Sequence, residues 1–279
     1  MGPAHQMLEL WGPDAMTVSI NTSANGPRPI QPRLRELTGS GPTGFFMGDA
    51  NGRGDERPVH RVVVDPFAIA VHPVTNREYA VFLDRTGHDP PNDWGTAPFD
   101  QFEAPVCGVS WFDAVTYAKW LGCETGRAYH LPTEVQREYA ARGGREQWAY
   151  PWGDEPLPLS GPYERGLNGA RVGGPMPVIT DNHDQPDETA GANEFGLFHM
   201  ADNVHEWCAD YYDRNYYRSS PTYNPRGPEA SDRRAARGGS WRHDIKYSRC
   251  AARSSLAPDK RFADFGFRLA SSKDFEYVR

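Results

Sequence analysis

Four histidines in the second half of the chain have the side chains best suited to bind a transition metal. They are His183, His199, His205 and His243, and carboxylates lie nearby in the sequence. Two imidazoles and one carboxylate form a ligand face that proteins use for Fe(II). The spacing of the histidines does not decide whether they bind a metal, since His199 and His205 both fall in a predicted loop whose geometry is open. The alternative is that each histidine serves only as a polar loop residue.

A second candidate site is the acidic segment of residues 181–213, which holds nine carboxylates and no lysine or arginine. The nine are Asp181, Asp184, Asp187, Glu188, Glu194, Asp202, Glu206, Asp210 and Asp213. Carboxylates so close in sequence repel one another, and hard divalent cations, which prefer oxygen ligands, relieve that repulsion. The segment therefore predicts bound calcium. The alternative is a solvated acidic surface that pairs with residues 226–268, which carry nine arginines and two lysines against five acids.

Composition narrows the class of protein. The 279 residues carry a net charge of −7, and 38% are hydrophobic, which is enough for a core. No stretch has the apolar length of a membrane span, and no basic-then-apolar region begins the chain, so we expect a cytoplasmic protein with no membrane partner. Four cysteines without a CxxC pair favour reduced thiols.

Several enzyme and binding classes lack their motifs. The chain has no glycine-rich phosphate loop after a strand, no G-x-S-x-G elbow and no HExxH. Arginines near the C-terminal end alternate with alanine, glycine and aromatic residues in an acidic protein. This pattern favours internal salt bridges over nucleic-acid binding.

Three helices are predicted to position these groups. Thr75 with Glu78, and Thr133 with Gln136, have the form of capping boxes, and Ser110 is a good N-cap. They predict one helix from about residue 76 to 85, a second that starts at Ser110, and a third that starts at Thr133 and stops at residues 143–144.

The remaining backbone is predicted to be short strands and loops. Residues 59–64 have strand composition, and residues 67–69 are predicted to continue that strand or to pair with it. Residues 1–40 are interpreted as a flexible leader with room for one short ordered piece. Turn formers dominate residues 150–192, which is typical of a functional loop or of one held by something other than secondary structure.

Short motifs recur along the chain in a definite order. They include Pro73-Val74-Thr75-Asn76-Arg77-Glu78-Tyr79, Leu131-Pro132-Thr133-Glu134, Gly196-Leu197-Phe198, Arg237-Gly238-Gly239-Ser240-Trp241, Arg249-Cys250-Ala251-Ala252-Arg253 and Gly266-Phe267-Arg268. In order and spacing, the chain from about residue 44 to 270 resembles the formylglycine-generating enzyme (sulfatase-modifying factor) family. The resemblance implies a single α+β domain at residues 41–272, with a modified C-type-lectin-like fold and little regular secondary structure. A tail at residues 273–279 would follow it.

The resemblance also implies positions for structural calcium. Carried over by position, one site would use Glu206 with backbone oxygens of Asp202 and Val204. A second would use Asn168 and a carboxylate from Asp181 or Asp184.

The loop that holds copper in cysteine-oxidising members of the family differs here. In those enzymes two cysteines between the Gly-Gly-Ser and Arg-Cys-Ala-Ala-Arg motifs bind copper(I), a soft ion that needs thiolates. In this chain the loop, residues 241–248, is shorter and contains no cysteine. Cys250 stands at a position that the family uses structurally. The resemblance therefore implies a member that does not follow the copper–cysteine route.

Two further positions depart from the family, which usually has tryptophan where this chain has Arg137 and His205. A guanidinium and an imidazole at apolar positions would bury charge unless the pocket is reorganised. This predicts a polar ligand pocket formed by Arg137, His205, Trp241, Arg242 and His243. The alternative leaves Arg137 exposed on its helix and His205 hydrogen-bonded in a loop.

Two functions fit these residues. The first is a formylglycine-generating-enzyme-like oxidoreductase that acts on an amino-acid-derived or peptidyl substrate in this pocket, with iron or copper as the candidate redox metal. The second is a non-catalytic module that binds a peptide or small molecule there, with calcium serving only the structure. The charged pocket favours the first, and the absent cysteine pair motivates the second.

Overall fold

Three α-helices begin at the three predicted N-caps in the computed structural model, which describes residues 26–155, 173–178, 192–201, 203–273, 275 and 277. They are α1 (Asn76–Thr86), α2 (Trp111–Thr125) and α3 (Glu134–Arg142), and each has a reciprocal capping box. Each ends at a glycine in the left-handed conformation, which relieves the terminal carbonyls without a Cβ clash. None of these helices is long and apolar enough to cross a membrane.

The strands in the described residues form three small sheets. Their bounds are β1 Leu34–Leu37, β2 Thr43–Met47, β3 His60–Val64, β4 Phe67–Ala70, β5 His205–Tyr211, β6 Arg234–Arg237, β7 Arg253–Leu256, β8 Phe265–Gly266 and β9 Ala270–Ser271. The strand orders are β1-β4-β9, β2-β3 and β7-β6-β5-β8. In the four-stranded sheet β5 is antiparallel to β6 and parallel to β8, so the start of β5 lies beside the end of β6 and the start of β8.

The prediction for residues 67–69 is wrong in its pairing. β3 pairs with β2, whereas β4 lies between β1 and β9 in a different sheet. All four residues of β4 are buried, which suits the centre of a sheet better than an extension of β3. β1 lies inside the segment interpreted as a leader, so the ordered domain includes residues 34–37.

Two hydrophobic clusters form the core. One surrounds α1 and α2 and includes Tyr79, Tyr117, Trp120 and Phe267. The other lies under α3, where the Tyr139 ring contacts one ring in β2 and one in β4, and the cluster also includes aliphatic residues of β3. This second cluster packs α3 against β2, β3 and β4.

Between α3 and that sheet lies a set of buried ions that we call the Glu–Arg array. Its members are Glu134, Glu138, Glu206, Arg137, Arg142, Arg237, Arg253 and Arg268, and no side chain among them is more than 4% exposed. Each carboxylate lies 2.7–2.9 Å from nitrogens of two guanidiniums. The arginine-rich end therefore forms internal salt bridges, as its composition predicts.

Candidate functional site

Strand ends of the four-stranded sheet bring three distant segments to one corner. His205 opens β5, and its backbone N–H donates to the carbonyl of Asp264 at 2.8 Å. Asp264 directly precedes β8, which runs parallel to β5. The segment after β6 turns back to the same place and supplies Ser240 and His243. We call the group of His205, His243 and Asp264 the His–Asp corner.

A glycine pair makes the turn after β6. Gly238 and Gly239 have φ values of 105° and 66°, a region that favours glycine. A Cβ on Gly238 would lie 3.0 Å from Arg137 Nη2, and one on Gly239 would lie 2.5 Å from the Ser248 hydroxyl. The two glycines thus let the loop that carries His243 pack directly over the Glu–Arg array.

Short polar contacts connect the corner. His205 Nε2 lies 2.9 Å from His243 Nδ1, and the Ser240 hydroxyl lies 3.2 Å from the same His243 nitrogen. Ser240 donates to Asp264 Oδ2 at 2.9 Å, and His243 Nε2 is 3.9 Å from that oxygen. One ligand atom from each of His205, His243 and Asp264 lies within 4.8 Å of the others, so the three can contact one ion.

Burial differs across the corner. His205 is 4% exposed, and burial lowers its pKa to about 4, although the neighbouring Asp264 acts in the opposite direction. Its imidazole is therefore neutral at pH 7, the form that binds metals. The side chain of Asp264 is 5% exposed, whereas that of His243 is 43% exposed. The corner thus has a buried side and an open side.

A cavity of about 260 Å³ lies on the open side. Its lining includes His205, His243, Arg53, Tyr247 and residues 252–254. Ligand pockets usually enclose roughly 300–1,000 Å³, so this one suits a single amino-acid-sized group. Arg53 is a half-exposed cation at its wall, although it also pairs with Asp55 and Glu56.

The structure brings together two of the five residues predicted for the pocket, His205 and His243. Arg242 lies at the edge, with Nη1 3.7 Å from Asp264 Oδ1. Trp241 does not line the cavity: its backbone N–H donates to Asn203 O, and its ring is 6.3 Å from that of Phe99. The sequence had placed all five side chains in one pocket because they are close in the chain or depart from the family.

Arg137 lies beneath the cavity floor and not in it. It is 1% exposed and donates to both oxygens of Glu206 and to the Met200 carbonyl. The alternative that placed it exposed on its helix is also wrong, because Glu206 provides a buried counter-ion. His205 does make a hydrogen bond, but from the first residue of a strand.

The predicted calcium positions fall largely outside the described residues. Four of the predicted ligands lie outside the described residues: Asn168, Asp181, Asp184 and Asp202. Glu206 is described, and both of its oxygens accept hydrogen bonds from Arg137 and Arg268. Burial alone would raise its pKa, but these two guanidiniums outweigh burial and lower it. The Glu206 carboxylate therefore has its charge matched by arginines, while the calcium assignment, including Val204, stays a prediction.

Sequence reasoning missed Asp264 and Arg53. Asp264 stands two residues before the Gly266-Phe267-Arg268 motif, and this proximity was the only local signal for it. Its pairing with His205 depends on the parallel register of β5 and β8, which joins residues about 60 positions apart. Arg53 reaches the cavity from the loop before β3, and no motif marks it.

Comparisons with known proteins agree with this architecture. The family model for the sulfatase-modifying factor enzyme 1-like domain matches residues 38–273. The formylglycine-generating enzyme of Streptomyces coelicolor is 34% identical, with 82% of this chain and 87% of that enzyme covered. The enzyme of the same name from Thermomonospora curvata is 33% identical, with 81% and 90% covered.

A solved structure extends the match to the fold. PvdO from Pseudomonas aeruginosa superposes with a TM-score of 0.65 at 27% identity, covering 87% of this chain and 95% of PvdO. The mixture of few helices and small sheets is consistent with the modified C-type-lectin-like α+β fold. Sequence motifs, family match and fold together place this chain in the formylglycine-generating enzyme family of sulfatase-modifying factor enzyme 1-like proteins.

Proposed function

We propose that this protein is an oxidoreductase of the formylglycine-generating-enzyme type that oxidises an amino-acid-derived or peptidyl substrate at the cavity beside His205 and His243. The proposal excludes a copper–cysteine centre. The observation that carries it is the contact between two imidazoles, with His205 Nε2 2.9 Å from His243 Nδ1. His243 belongs to the loop that carries cysteines in the copper-dependent members of the family.

The thiols of this chain do not fit a two-cysteine copper site. Cys107, Cys208 and Cys250 are buried, and burial raises the pKa of each thiol, to about 12 for Cys250. A thiol with a raised pKa keeps its proton, whereas copper(I) is bound by thiolate. Cys123 is exposed on α2 and lies outside the loop after Gly239. These thiols therefore do not fit a copper–cysteine centre.

The cavity residues can hold an anionic group beside the two histidines. His243 is open to the cavity on one side and hydrogen-bonded to His205 on the other, so its imidazole can contact a bound substrate or, together with His205, a metal ion. Ser240 and Asp264 hold it in place. Arg53 can pair with the carboxylate of an amino-acid-derived substrate. The substrate loses two electrons and two protons, and dioxygen takes up both to become hydrogen peroxide; a redox metal ion would supply the electron-transfer chemistry when it is bound.

Oxygen consumption tests the proposal. Protein treated with chelator is reconstituted separately with Fe(II), Mn(II) and copper, then supplied with free amino acids, small thiols and cysteine-containing peptides. We expect metal-dependent oxygen uptake with at least one substrate, and a product that mass spectrometry shows to be oxidised by two electrons. His243→Ala should slow the reaction roughly 100-fold or more, because the side chain that positions the reacting groups beside His205 is lost.

A matched histidine controls for nonspecific effects. His72→Ala removes a half-exposed imidazole that does not line the cavity, and its rate should match that of the unmodified protein. Oxygen uptake that stays at background with every metal and substrate would contradict the proposal. The alternative function, a non-catalytic binding module, would then be favoured. Uptake with copper alone, on cysteine peptides alone, would contradict the exclusion of the copper route.

A further inference from the structure

We infer that the His–Asp corner binds one divalent first-row transition-metal ion through His205 Nε2, His243 Nδ1 and a carboxylate oxygen of Asp264. The use of such an ion in oxidation rests on the proposed function, but its binding does not. The chemical class is the one that two imidazoles and a carboxylate select, with Fe(II) as the ion typical of that set when coordination positions remain open.

The spacing of the nitrogens fits two neighbouring ligands of one ion. Metal–imidazole bonds are about 2.0–2.1 Å long, so two nitrogens at right angles on one ion lie about 2.9 Å apart. His205 Nε2 and His243 Nδ1 are 2.9 Å apart. Asp264 completes the group, because one ring nitrogen of each histidine and a carboxylate oxygen of Asp264 lie within 4.8 Å of one another. Small side-chain adjustments therefore bring all three onto one ion.

The state of Asp264 is an independent reason for a cation. Its side chain is 5% exposed, yet its nearest ion-pair partners among the described residues are Arg242 at 3.7 Å and His243 at 3.9 Å. The Arg242 side chain is itself 47% exposed to solvent. A buried carboxylate is costly unless a cation or several hydrogen bonds compensate its charge. Ser240 supplies one hydrogen bond, so a bound divalent ion would supply the missing positive charge.

The arrangement also leaves room for exogenous ligands. The three ligands come from the starts of β5 and β8 and from the turn after β6, so they approach an ion from the sheet side. The open side faces the cavity through the half-exposed His243. An octahedral ion held by three protein ligands keeps three positions for water, substrate or dioxygen. An ion at this corner would therefore be bound asymmetrically, with protein on one side and the cavity on the other.

Co(II) titration of the full chain tests the site without reference to activity. Chelator-treated protein is titrated with Co(II), and visible absorption and metal analysis after gel filtration give the affinity and stoichiometry. We expect one equivalent per chain with ligand-field bands that report nitrogen and oxygen ligands. His243→Gln and Asp264→Asn should each weaken binding at least tenfold, while a large excess of Ca²⁺ leaves the bands unchanged.

Control variants separate this site from surface binding and from misfolding. Asp259→Asn changes an exposed acid in the same region, and Co(II) affinity should stay the same. Circular dichroism of His243→Gln and Asp264→Asn should match that of the unmodified protein, and His205 is left intact because its burial makes a change there harder to interpret. Absence of stoichiometric binding by the unmodified protein, or binding by either variant that is as tight as that of the unmodified protein, would overturn the inference. Tight binding without oxygen uptake would uphold the metal site and contradict the proposed function.

Discussion

The Glu–Arg array and the His–Asp corner share one sheet but neutralise their buried carboxylates in different ways. In the array, Glu206 has Arg137 at 2.8 Å and Arg268 at 2.7 Å, and Glu134 and Glu138 are paired just as closely. In the corner, Asp264 has its nearest described guanidinium at 3.7 Å. Matched charges make the array a structural unit, whereas the corner has a carboxylate, two imidazoles and an adjacent cavity. The difference separates what holds the fold from what can bind a ligand.

Breaking an ion pair of the Glu–Arg array should lower the free energy of unfolding most. Glu206→Gln keeps the shape of the side chain but leaves the buried guanidiniums of Arg137 and Arg268 without their carboxylate. Removing one partner of a buried ion pair costs about 3–5 kcal/mol, and we expect a loss of that size in the free energy of unfolding from chemical denaturation. Glu36→Gln, at a side chain that is 77% exposed, should change it by less than about 1 kcal/mol. If both substitutions lowered the free energy of unfolding equally, the Glu–Arg array would not be a structural unit.

Acid should weaken the array over a definite pH interval. Burial alone would raise the pKa of Glu134, but Arg253 and Arg237 outweigh burial and lower it from its usual 4.5 to about 2. Because the folded-state pKa is the lower one, the stabilisation is present above pH 4.5 and is lost as pH falls through 2. The loss amounts to roughly 3 kcal/mol.

The pH interval is measured by comparing denaturation of the unmodified protein with that of Glu134→Gln. The difference between their free energies of unfolding should be largest near neutral pH and shrink between pH 4.5 and 2. A difference that stays constant down to pH 2 would show that the Glu134 carboxylate is not held ionised by its two arginines.

Removing the Asp264 carboxylate from the His–Asp corner should change the free energy of unfolding least. Without metal, Asp264→Asn should change the free energy of unfolding by less than about 1 kcal/mol, because the amide oxygen still accepts from Ser240 and an under-compensated buried charge is removed. With Co(II) at 100 times its dissociation constant, the unmodified protein should gain about 2.7 kcal/mol and the variant should gain much less. A metal-free loss as large as that of Glu206→Gln would place Asp264 with the array.

Local sequence predicts the helices because their ends depend on residues three or four positions apart. Thr75, Ser110 and Thr133 each cap a helix through a contact with the third residue of that helix. Residues 67–69 show the limit of this reasoning. Their composition indicates a strand, but their partners, β1 and β9, lie about 30 positions before them and 200 after them.

The candidate site was only partly predictable for the same reason. His205 and His243 were recognisable by residue type and by their position in the family motifs. Arg137 was misplaced because its partner Glu206 lies 69 residues away, and a guanidinium on a helix is usually solvent-exposed. Asp264 was missed because an isolated aspartate has no local feature that marks it as buried beside two imidazoles.

By itself, the sequence determined the family, the three capped helices and the absence of cysteine from the loop after Gly239. These features depend on residue identity and on contacts within one turn of the chain. Only the tertiary structure decided which arginine matches which glutamate and which carboxylate joins the two histidines. The register of β5 and β8 places Asp264 beside His205, and the packing of α3 over the sheet brings Arg137 to Glu206 beneath them.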